Sequence, residues 1–344
     1  IFMLSEEFWN KILELNFISV DEVKNIVSDN DQNKVPLPEN ILLRTIQSLD
    51  NKKRIENEKR HLLPKRYEEE FFIADGIDIP YARDDIASME YPIFALKAGD
   101  VKDVIYEHNG FVTHIKPNSA GRATIFDKDV WIYAISKLMQ AKFLGLEIQR
   151  SISFTTRDFL IQTNRPIGGS QYEQFKQSLD RLTGTRIMTE VKTGEKSQTD
   201  FFGLIESATV ISEDKQGRSI GVQVVLPEWL YQSILLDDVL TISKEYFRLR
   251  KPIDRRIYEL ARKHCGKQPN WKISIDLLHK KTGATMSIRE FRRSISSLIK
   301  SDVFPDYAIK FERTTDTVFF TNLDTEVQHK ANIKAIRKLA KTIS

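Results

Sequence analysis

Arginines with helical spacing are the side chains in this sequence best suited to binding a polyanion. Arg289, Arg292 and Arg293 share one side of a predicted helix over residues 287–300, with Ser296 one turn further on. A guanidinium donates two parallel hydrogen bonds to O6 and N7 of guanine, and a serine hydroxyl reaches a base or a phosphate. These residues therefore predict a helix that contacts duplex DNA. The alternative is an ordinary solvated helix face.

The opposite side of this helix is apolar. Its apolar positions step by three, four and three residues, at Ile288, Phe291, Ile295 and Leu298. That spacing places side chains on one face of an α-helix, so this face is expected to pack against a core. Ser287 and Glu290 form a Ser-x-x-Glu pattern, which predicts a capping box at the helix start.

An earlier helix repeats the pattern, with apolar positions at Tyr172, Phe175, Leu179 and Leu182. Ser170 and Glu173 again predict a capping box. Its outer face is less basic and carries the candidate DNA contacts Gln174, Lys176, Gln177 and Arg181. Glutamine can read adenine, but Glu173 and Asp180 would repel phosphates. This helix is expected either to read bases or to serve dimerisation and backbone contacts.

The flanking segments predict the same order of elements around both helices. In the first copy, a helix over 130–143 capped by Asp127 precedes a strand over 152–154 and a helix over 157–162. Strands over 186–192, 201–211 and 220–226 follow, separated by turns at 193–197 and 213–218. Three helices followed by an antiparallel hairpin are typical of a winged-helix domain.

The second copy begins with a helix from Pro252 to Ala261, followed by a strand over 273–275 and a helix over 277–281 capped by Asp276. After the arginine-rich helix, a hairpin over 307–313 and 317–322 completes the unit. The chain is therefore predicted to be an α+β protein with two tandem winged-helix domains.

Further basic residues are candidates for phosphate contact. Lys192, Lys196, Lys215 and Arg218 lie at or beside the two turns of the first copy, where a wing would meet phosphates. Five more cations surround the start of the second copy and could clamp the DNA backbone: Arg248, Arg250, Lys251, Arg255 and Arg256. The alternative for this second group is salt bridges, with Glu245 and Asp254 as partners.

Charge is distributed unevenly along the chain. The net charge of the whole chain is +4. Residues 1–90 hold 12 Lys/Arg against 19 Asp/Glu, whereas residues 245–313 hold 17 Lys/Arg against 8 Asp/Glu. A net charge of +9 in one segment favours a polyanionic partner, because each neutralised phosphate releases counterions. A charge-rich solvated surface would have the same composition.

Composition and motifs exclude several other classes. A single cysteine, Cys265, allows neither an intrachain disulfide nor a zinc site built on several cysteines, as expected in a reducing cytoplasm. No apolar run is long enough to span a bilayer, and the opening apolar residues stop too soon for a signal peptide. The six histidines lack metal-binding spacing, and the segment 193–197 has Glu195 where a P-loop needs glycine. We expect no catalytic residue, metal or cofactor.

Several long stretches resemble the plasmid replication initiator protein A family. They are residues 88–94, 170–185, 202–207, 246–252 and 256–266, and the resemblance runs from about residue 63 to residue 322. It implies a bacterial plasmid initiator with tandem winged-helix domains. Such a protein binds repeated origin sites on double-stranded DNA, helps to melt an adjacent segment and recruits the host replication initiator and helicase. The resemblance also suggests self-association as a dimer.

These observations predict four parts. An acidic helical appendage and linker over 1–70 precedes winged-helix domain 1 over 71–243, winged-helix domain 2 over 244–323 and a basic C-terminal helix over 324–344. The function expected is non-enzymatic replication initiation in the bacterial cytoplasm, without a membrane partner. A winged-helix transcriptional regulator is the first alternative. An origin nickase is the second, and it would require a metal-dependent strand cut.

Overall fold

The computed structural model describes residues 82–324 apart from 109–110, 194–195 and 213–218, together with residues 61–67 and ten scattered positions between 48 and 78. Most of the predicted appendage, the turn with Lys215 and Arg218, and the basic segment after residue 324 lie outside the described residues. Two units follow one another along the chain, and each has its own apolar core.

The first unit mixes short helices with antiparallel sheets. Its helices are α1 (Ile86–Glu90), α2 (Asp129–Phe143), α3 (Thr156–Gln162), α4 (Gly169–Gly184) and α5 (Glu228–Leu235). Its strands are β1 (Ile73–Ala74), β2 (Ile77–Asp78), β3 (Ala82–Asp85), β4 (Val104–His108), β5 (Phe111–Lys116), β6 (Ser151–Phe154), β7 (Arg186–Thr193), β8 (Lys196–Gly203), β9 (Ser207–Ser212), β10 (Ser219–Val225) and β11 (Val239–Ile242).

The strands after α4 belong to two different sheets. β9 and β10 join β6 in a sheet of order β6-β10-β9, whereas β7 and β8 extend the β4–β5 hairpin into a sheet of order β4-β5-β7-β8. The prediction of one strand over 201–211 was therefore wrong. The chain leaves one sheet for the other at Leu204 and Ile205, whose side chains are buried. The Trp131 indole donates to the Leu204 carbonyl at 2.7 Å and holds this crossing in place.

The second unit repeats the order of the first without the inserted hairpin. Its helices are α6 (Pro252–His264), α7 (Ile275–Thr282) and α8 (Ile288–Ser301). Its strands β12 (Asn270–Ser274), β13 (Tyr307–Glu312) and β14 (Thr317–Asn322) form a sheet of order β12-β14-β13. Since β6, β9 and β10 have the equivalent order, the predicted duplication of elements is confirmed.

Helix starts were predicted less well than helix faces. The Ser287–Glu290 capping box is present, and Thr155 caps α3. The box predicted at Ser170 is absent, because α4 begins earlier, at Gly169, and Gly168 is its cap. Asp127 and Asp276 were also assigned wrongly, since α2 begins after Lys128 and Ser274 caps α7.

Two prolines and the lack of apolar periodicity favour a loop over residues 76–92, but this segment contains β3 and α1. Asp85 caps α1 by accepting from the backbone N–H groups of Ala87 and Ser88 at 3.0 and 2.7 Å. β3 pairs with β11, a non-local contact that periodicity could not reveal. The apolar residues 93–96 favour a strand by composition, but they form only one isolated bridge, between Ala95 and Thr124.

The units share a buried boundary, because Ala82, Met89 and Ile132 of the first unit belong to the second unit's core. Ionic side chains in the same boundary are removed from water. Lys128 Nζ lies 2.7 Å from Asp84 Oδ2 and 3.0 Å from Glu259 Oε1. Burial raises the pKa of Asp84 to about 7, since removal from water outweighs the attraction of the Lys128 ammonium.

Two arginines of α6 reach from the second unit into the first. Arg255 pairs with Asp129 at 2.7 Å and donates to the carbonyls of Leu249 and Phe247, each at 3.0 Å. Arg256 pairs with Glu259 at 2.9 Å and donates to the Ser88 carbonyl at 3.1 Å. Both guanidinium groups are therefore satisfied inside the protein. We call Asp84, Lys128, Asp129, Arg255, Arg256 and Glu259 the interface network.

We expect Arg255→Ala to lower the free energy of unfolding by about 3–5 kcal/mol, because it leaves the buried Asp129 carboxylate without this partner. Urea unfolding followed by circular dichroism measures the loss. Arg289→Ala, which removes an exposed guanidinium, is the matched control and should change stability by less than about 0.5 kcal/mol. Equal stability of the two variants would contradict the structural role of Arg255.

Glu90 is a second link between the units. Contacts with His264, Lys263 and Lys281 hold the pKa of this carboxyl well below its usual range, although burial opposes them. The stabilisation from a lowered carboxyl pKa is complete above the unfolded-state value and is lost as pH falls toward the folded-state value.

We therefore expect Glu90→Gln to be less stable than the unmodified protein at pH 7. The difference should shrink as pH falls below the ordinary carboxyl pKa of 4.5. Urea titrations at pH 7 and pH 3.5 measure both differences, with the exposed Glu107→Gln as control. A difference that stays constant between these pH values would contradict the ionic role of Glu90.

Candidate nucleic-acid interface

Helix α8 presents its arginines outward because its other face is fixed in the core. Phe291, Ile295 and Leu298 are fully buried, as the apolar spacing predicted. Ser287 Oγ accepts from the Glu290 backbone N–H at 3.3 Å, and Glu290 Oε2 accepts from the Ser287 N–H at 3.0 Å. The reciprocal bonds define where the helix starts and therefore which residues face solvent.

A groove of about 860 Å³ lies between α8 and the turn that joins β13 to β14. We call it the α8 groove. Its polar lining includes four cations against one carboxylate: Arg292, Arg293, Lys300, Arg313 and Asp316. His61, Ser296, Ser297, Phe311 and Thr314 complete the lining. A concave surface with this excess of positive charge attracts anions.

Arg292 connects the helix to the turn. Its Nε lies 3.1 Å from Asp316 Oδ1, and its Nη2 bonds to the second carboxylate oxygen. This hydrogen bonding raises the pKa of Arg292 and lowers the pKa of Asp316. A base contact by Arg292 would require this pair to break. Arg289 and Arg293 are exposed, so they need no such rearrangement.

Ser296 lies in the α8 groove, but its hydroxyl donates to the Arg292 carbonyl of the preceding turn at 2.9 Å. Its oxygen can still accept a hydrogen bond from another group. The neighbouring Ser297 hydroxyl lies 3.3 Å from Nε2 of His61, which comes from the start of the described chain. The N-terminal part of the protein therefore reaches the edge of this groove.

Residues 61–63 are held there by the start of the second unit. The Arg250 N–H donates to the His61 carbonyl, and the Leu63 N–H donates to the Arg248 carbonyl, both at 2.6 Å. The Arg248 guanidinium also donates to Leu63 at 3.0 Å, and Lys251 Nζ lies 3.2 Å from His61 Nε2. Of these predicted phosphate contacts, Arg250 is the exposed one, whereas Arg248 and Lys251 hold this segment.

The prediction of phosphate contact was wrong for Arg255 and Arg256. Both side chains are 2% exposed and belong to the interface network. Sequence reasoning had named salt bridges as the alternative, with Glu245 and Asp254 as partners. Arg248 does pair with Glu245, but Asp254 pairs instead with His61 at 2.8 Å.

The outer face of α4 is only weakly suited to DNA. Gln174 and Gln177 are exposed, and Lys176 is half-buried. Arg181 is bound to the buried Asp127 at 2.7 and 2.8 Å, so a DNA contact by Arg181 would require this pair to break. Burial alone would raise the pKa of Asp127, but hydrogen bonds, with that from Arg181 foremost, lower it. Arg181 therefore stabilises the first unit.

Lys192 and Lys196 lie at the end of the β7–β8 hairpin, next to its turn. This hairpin belongs to the four-stranded sheet and not to the sheet that contains β6. Both lysines thus lie beside a turn, as predicted, but in a different sheet from the strands of the repeated unit, and their contact with phosphates stays a prediction.

Two groove cations were missed by sequence reasoning. In the sequence, Lys300 stands at the end of the predicted arginine-rich helix and Arg313 at the end of a predicted strand. Arg313 does carry a signal, because it directly precedes the turn 314–316, just as the candidate cations of the first unit flank their turns. Their common position became evident only when α8 packed beside β13 and β14.

Within the described residues, no group of three or more His, Cys, Asp or Glu side chains is arranged to hold a metal ion. None of the described helices combines the length and hydrophobicity needed to cross a membrane.

Comparison with known proteins shows the family to which this chain belongs. The model of the family described as "Replication initiator protein A" matches residues 83–309. The chain belongs to the replication initiator protein A family. A protein of Wigglesworthia glossinidia brevipalpis named "Putative replication protein" is 42% identical over 270 residues, which are 78% of this chain and 98% of that protein. The resemblance noted from the sequence is thereby confirmed.

Solved structures show a related fold. Domains 2 and 3 of RctB align with a TM-score of 0.52 and 14% identity, covering 70% of this chain and 98% of that chain. A selenomethionine derivative of the same two domains aligns with a TM-score of 0.53 and 13% identity, covering 69% and 98%. Most of the described chain thus shares a mixed α/β architecture with these two domains.

Proposed function

We propose that this replication initiator binds double-stranded DNA at a plasmid origin and acts without catalysing a covalent reaction. The observation that carries the proposal is the convergence of Arg293, Lys300 and Arg313 on the α8 groove, next to Arg292. Membership of the replication initiator protein A family supplies the biological setting.

We interpret each unit as a winged-helix domain. In both, a helix, a strand and two helices precede two strands, and the last strand lies in the middle of the sheet. Helix α8 would then enter the major groove, and the β13–β14 turn would act as the wing. Arg289 and Arg293 would contact base edges, while Lys300 and Arg313 would contact phosphates.

The first unit would bind less specifically. Gln174 and Gln177 are available on α4, but Glu173 and Asp180 are exposed on the same helix. The interface network would hold α4 and α8 in one relative orientation, so both helices would engage a single duplex at a fixed spacing. Self-association as a dimer, melting of adjacent DNA and recruitment of the host initiator and helicase are further parts of the proposal, which the family membership supports.

We expect Arg293→Ala to weaken binding to a preferred site by about 1–3 kcal/mol and to relax the base preference at one position. Arg313→Ala should weaken binding to all sequences alike and reduce the salt slope by about 1, as expected for a lost phosphate contact. The probes are a 40-bp duplex enriched from a random pool on the unmodified protein and an unselected duplex of equal length.

Lys267→Ala is the control for these titrations, because this exposed cation lines a different cavity. Its affinity should equal that of the unmodified protein at every salt concentration. Unchanged affinity of Arg293→Ala at fixed salt would contradict the assignment of α8 as the reading helix, provided that its unfolding curve is unaltered.

Origin function requires a separate measurement. The test plasmid has the DNA flanking this gene as its only origin. We expect it to be lost when the gene encodes the Arg293→Ala, Arg313→Ala protein. It should be maintained when the unmodified protein is supplied in trans. Maintenance without functional protein, with altered transcription from the same DNA, would favour a regulator instead. Nicking of the supercoiled plasmid by purified protein would favour an enzyme.

A further inference from the structure

An apolar patch is exposed where helices α2 and α5 end side by side. Phe143 is 84% exposed and Leu236 is 70% exposed, and three further leucines beside them are more than a third exposed: Leu144, Leu146 and Leu235. Isolated apolar side chains are common on protein surfaces, but clustered ones mark sites of contact. We call these five residues the α2–α5 patch.

Lys142 holds the two helix ends together. Its ammonium donates to the carbonyls of Ile234 and Leu235 at 3.1 and 2.8 Å and pairs with Asp237 at 2.8 Å. The cation therefore satisfies the free carbonyls at the end of α5. The patch is consequently a defined surface on two joined helices.

The rim of the patch is acidic. Glu147 follows Leu146 directly, and Asp237 and Asp238 follow Leu236, with all three side chains exposed. Lys142 is bound to Asp237, and no cation among the described residues pairs with Glu147 or Asp238 at this rim. An occupant with an apolar stripe and flanking cations would match both the apolar and the ionic character of the surface.

The chain contains such a segment after its last described residue. Residues 325–344 carry one face of Ile333, Ile336, Ala340 and Ile343 at helical spacing. The same segment has five cations, Lys330, Lys334, Arg337, Lys338 and Lys341, against one acidic residue, Glu326. Its pattern is complementary to the α2–α5 patch.

The place where the described chain ends makes this contact reachable. Leu323 and Asp324 line the same cavity as Thr241 and Ile242 of β11. From Thr241 back to Leu236 the backbone spans at most about 18 Å, whereas residues 325–332 can extend over about 26 Å, which leaves at least about 8 Å to cross the cavity itself. The first residue of this apolar face, Ile333, can therefore reach the patch.

We propose that residues 333–343 form an amphipathic helix that docks on the α2–α5 patch of the same molecule. Its isoleucines cover Phe143 and Leu236, and its lysines lie against Glu147 and Asp238. A segment that leaves the second unit is thereby fastened to the first unit, outside the interface network and away from the α8 groove.

Cysteine pairing in the full chain tests the contact. Leu236→Cys is combined in turn with Ile333→Cys, Ile336→Cys and Ala340→Cys, and the proteins are oxidised with copper phenanthroline. Docking brings at least one pair within the Cα separation of about 4.4–6.8 Å that a disulfide needs. We expect that pair to close at least tenfold faster than Leu236→Cys with Lys338→Cys, in which the second cysteine lies on the opposite helix face. Cys265 is fully buried and stays in place.

The mass of the oxidised product identifies the occupant. A disulfide within one chain supports the proposal, whereas a product of twice the mass shows that the segment of a second copy occupies the patch and overturns it. Equal closure rates for all pairs also overturn it.

Hydrogen exchange gives an independent measurement. Amides of residues 333–343 should be protected in the unmodified protein and lose protection in Phe143→Ser, Leu236→Asp. Because both side chains are largely exposed, these changes leave the fold intact, which protection of α2 and α5 confirms. Unprotected amides in the unmodified protein, or protection unaltered in the variant, overturn the proposal.

Discussion

The interface network is the constraint on which the rest of the structure depends. A charge removed from water destabilises a fold unless partners of opposite charge and carbonyl oxygens surround it. Lys128 meets this condition through Asp84 and Glu259, and Arg255 through Asp129, with partners drawn from both units. Any relative shift of the units would leave buried charges unpaired. The network therefore favours one orientation of α2 against α6, and with it one placement of α4 relative to α8.

The same requirement divides the cations of the second unit into two groups. Arg255 and Arg256 stabilise the interior, and Arg248 holds the segment over residues 61–63. Arg289, Arg293, Lys300 and Arg313 are exposed, and all of these except Arg289 line the α8 groove. The net charge of this segment thus overstates the charge available to a polyanion, because part of it is neutralised inside the protein.

The two units share an order of elements but differ in how their charged side chains are used. In the first, an inserted β7–β8 hairpin joins β4 and β5, and Arg181 on α4 binds the buried Asp127. In the second, α8 is followed directly by the β13–β14 hairpin, and Arg292 connects the two. On α4 the arginine is paired with a buried carboxylate, whereas on α8 Arg289 and Arg293 are exposed. This difference underlies the unequal roles proposed for α4 and α8.

Local sequence by itself determined the periodic features. Spacings within a few residues of each other predict the apolar faces of α4 and α8, the Ser287 capping box and the duplicated order of elements. Long matching stretches of sequence indicate the family. Tertiary structure alone decided which cations are exposed to solvent and which are buried in ion pairs. Whether Arg255 is buried depends on Asp129, 126 residues away, and whether Arg313 faces the groove depends on how β13 packs against α8. Pairing and burial join distant parts of the chain, so no local pattern encodes them.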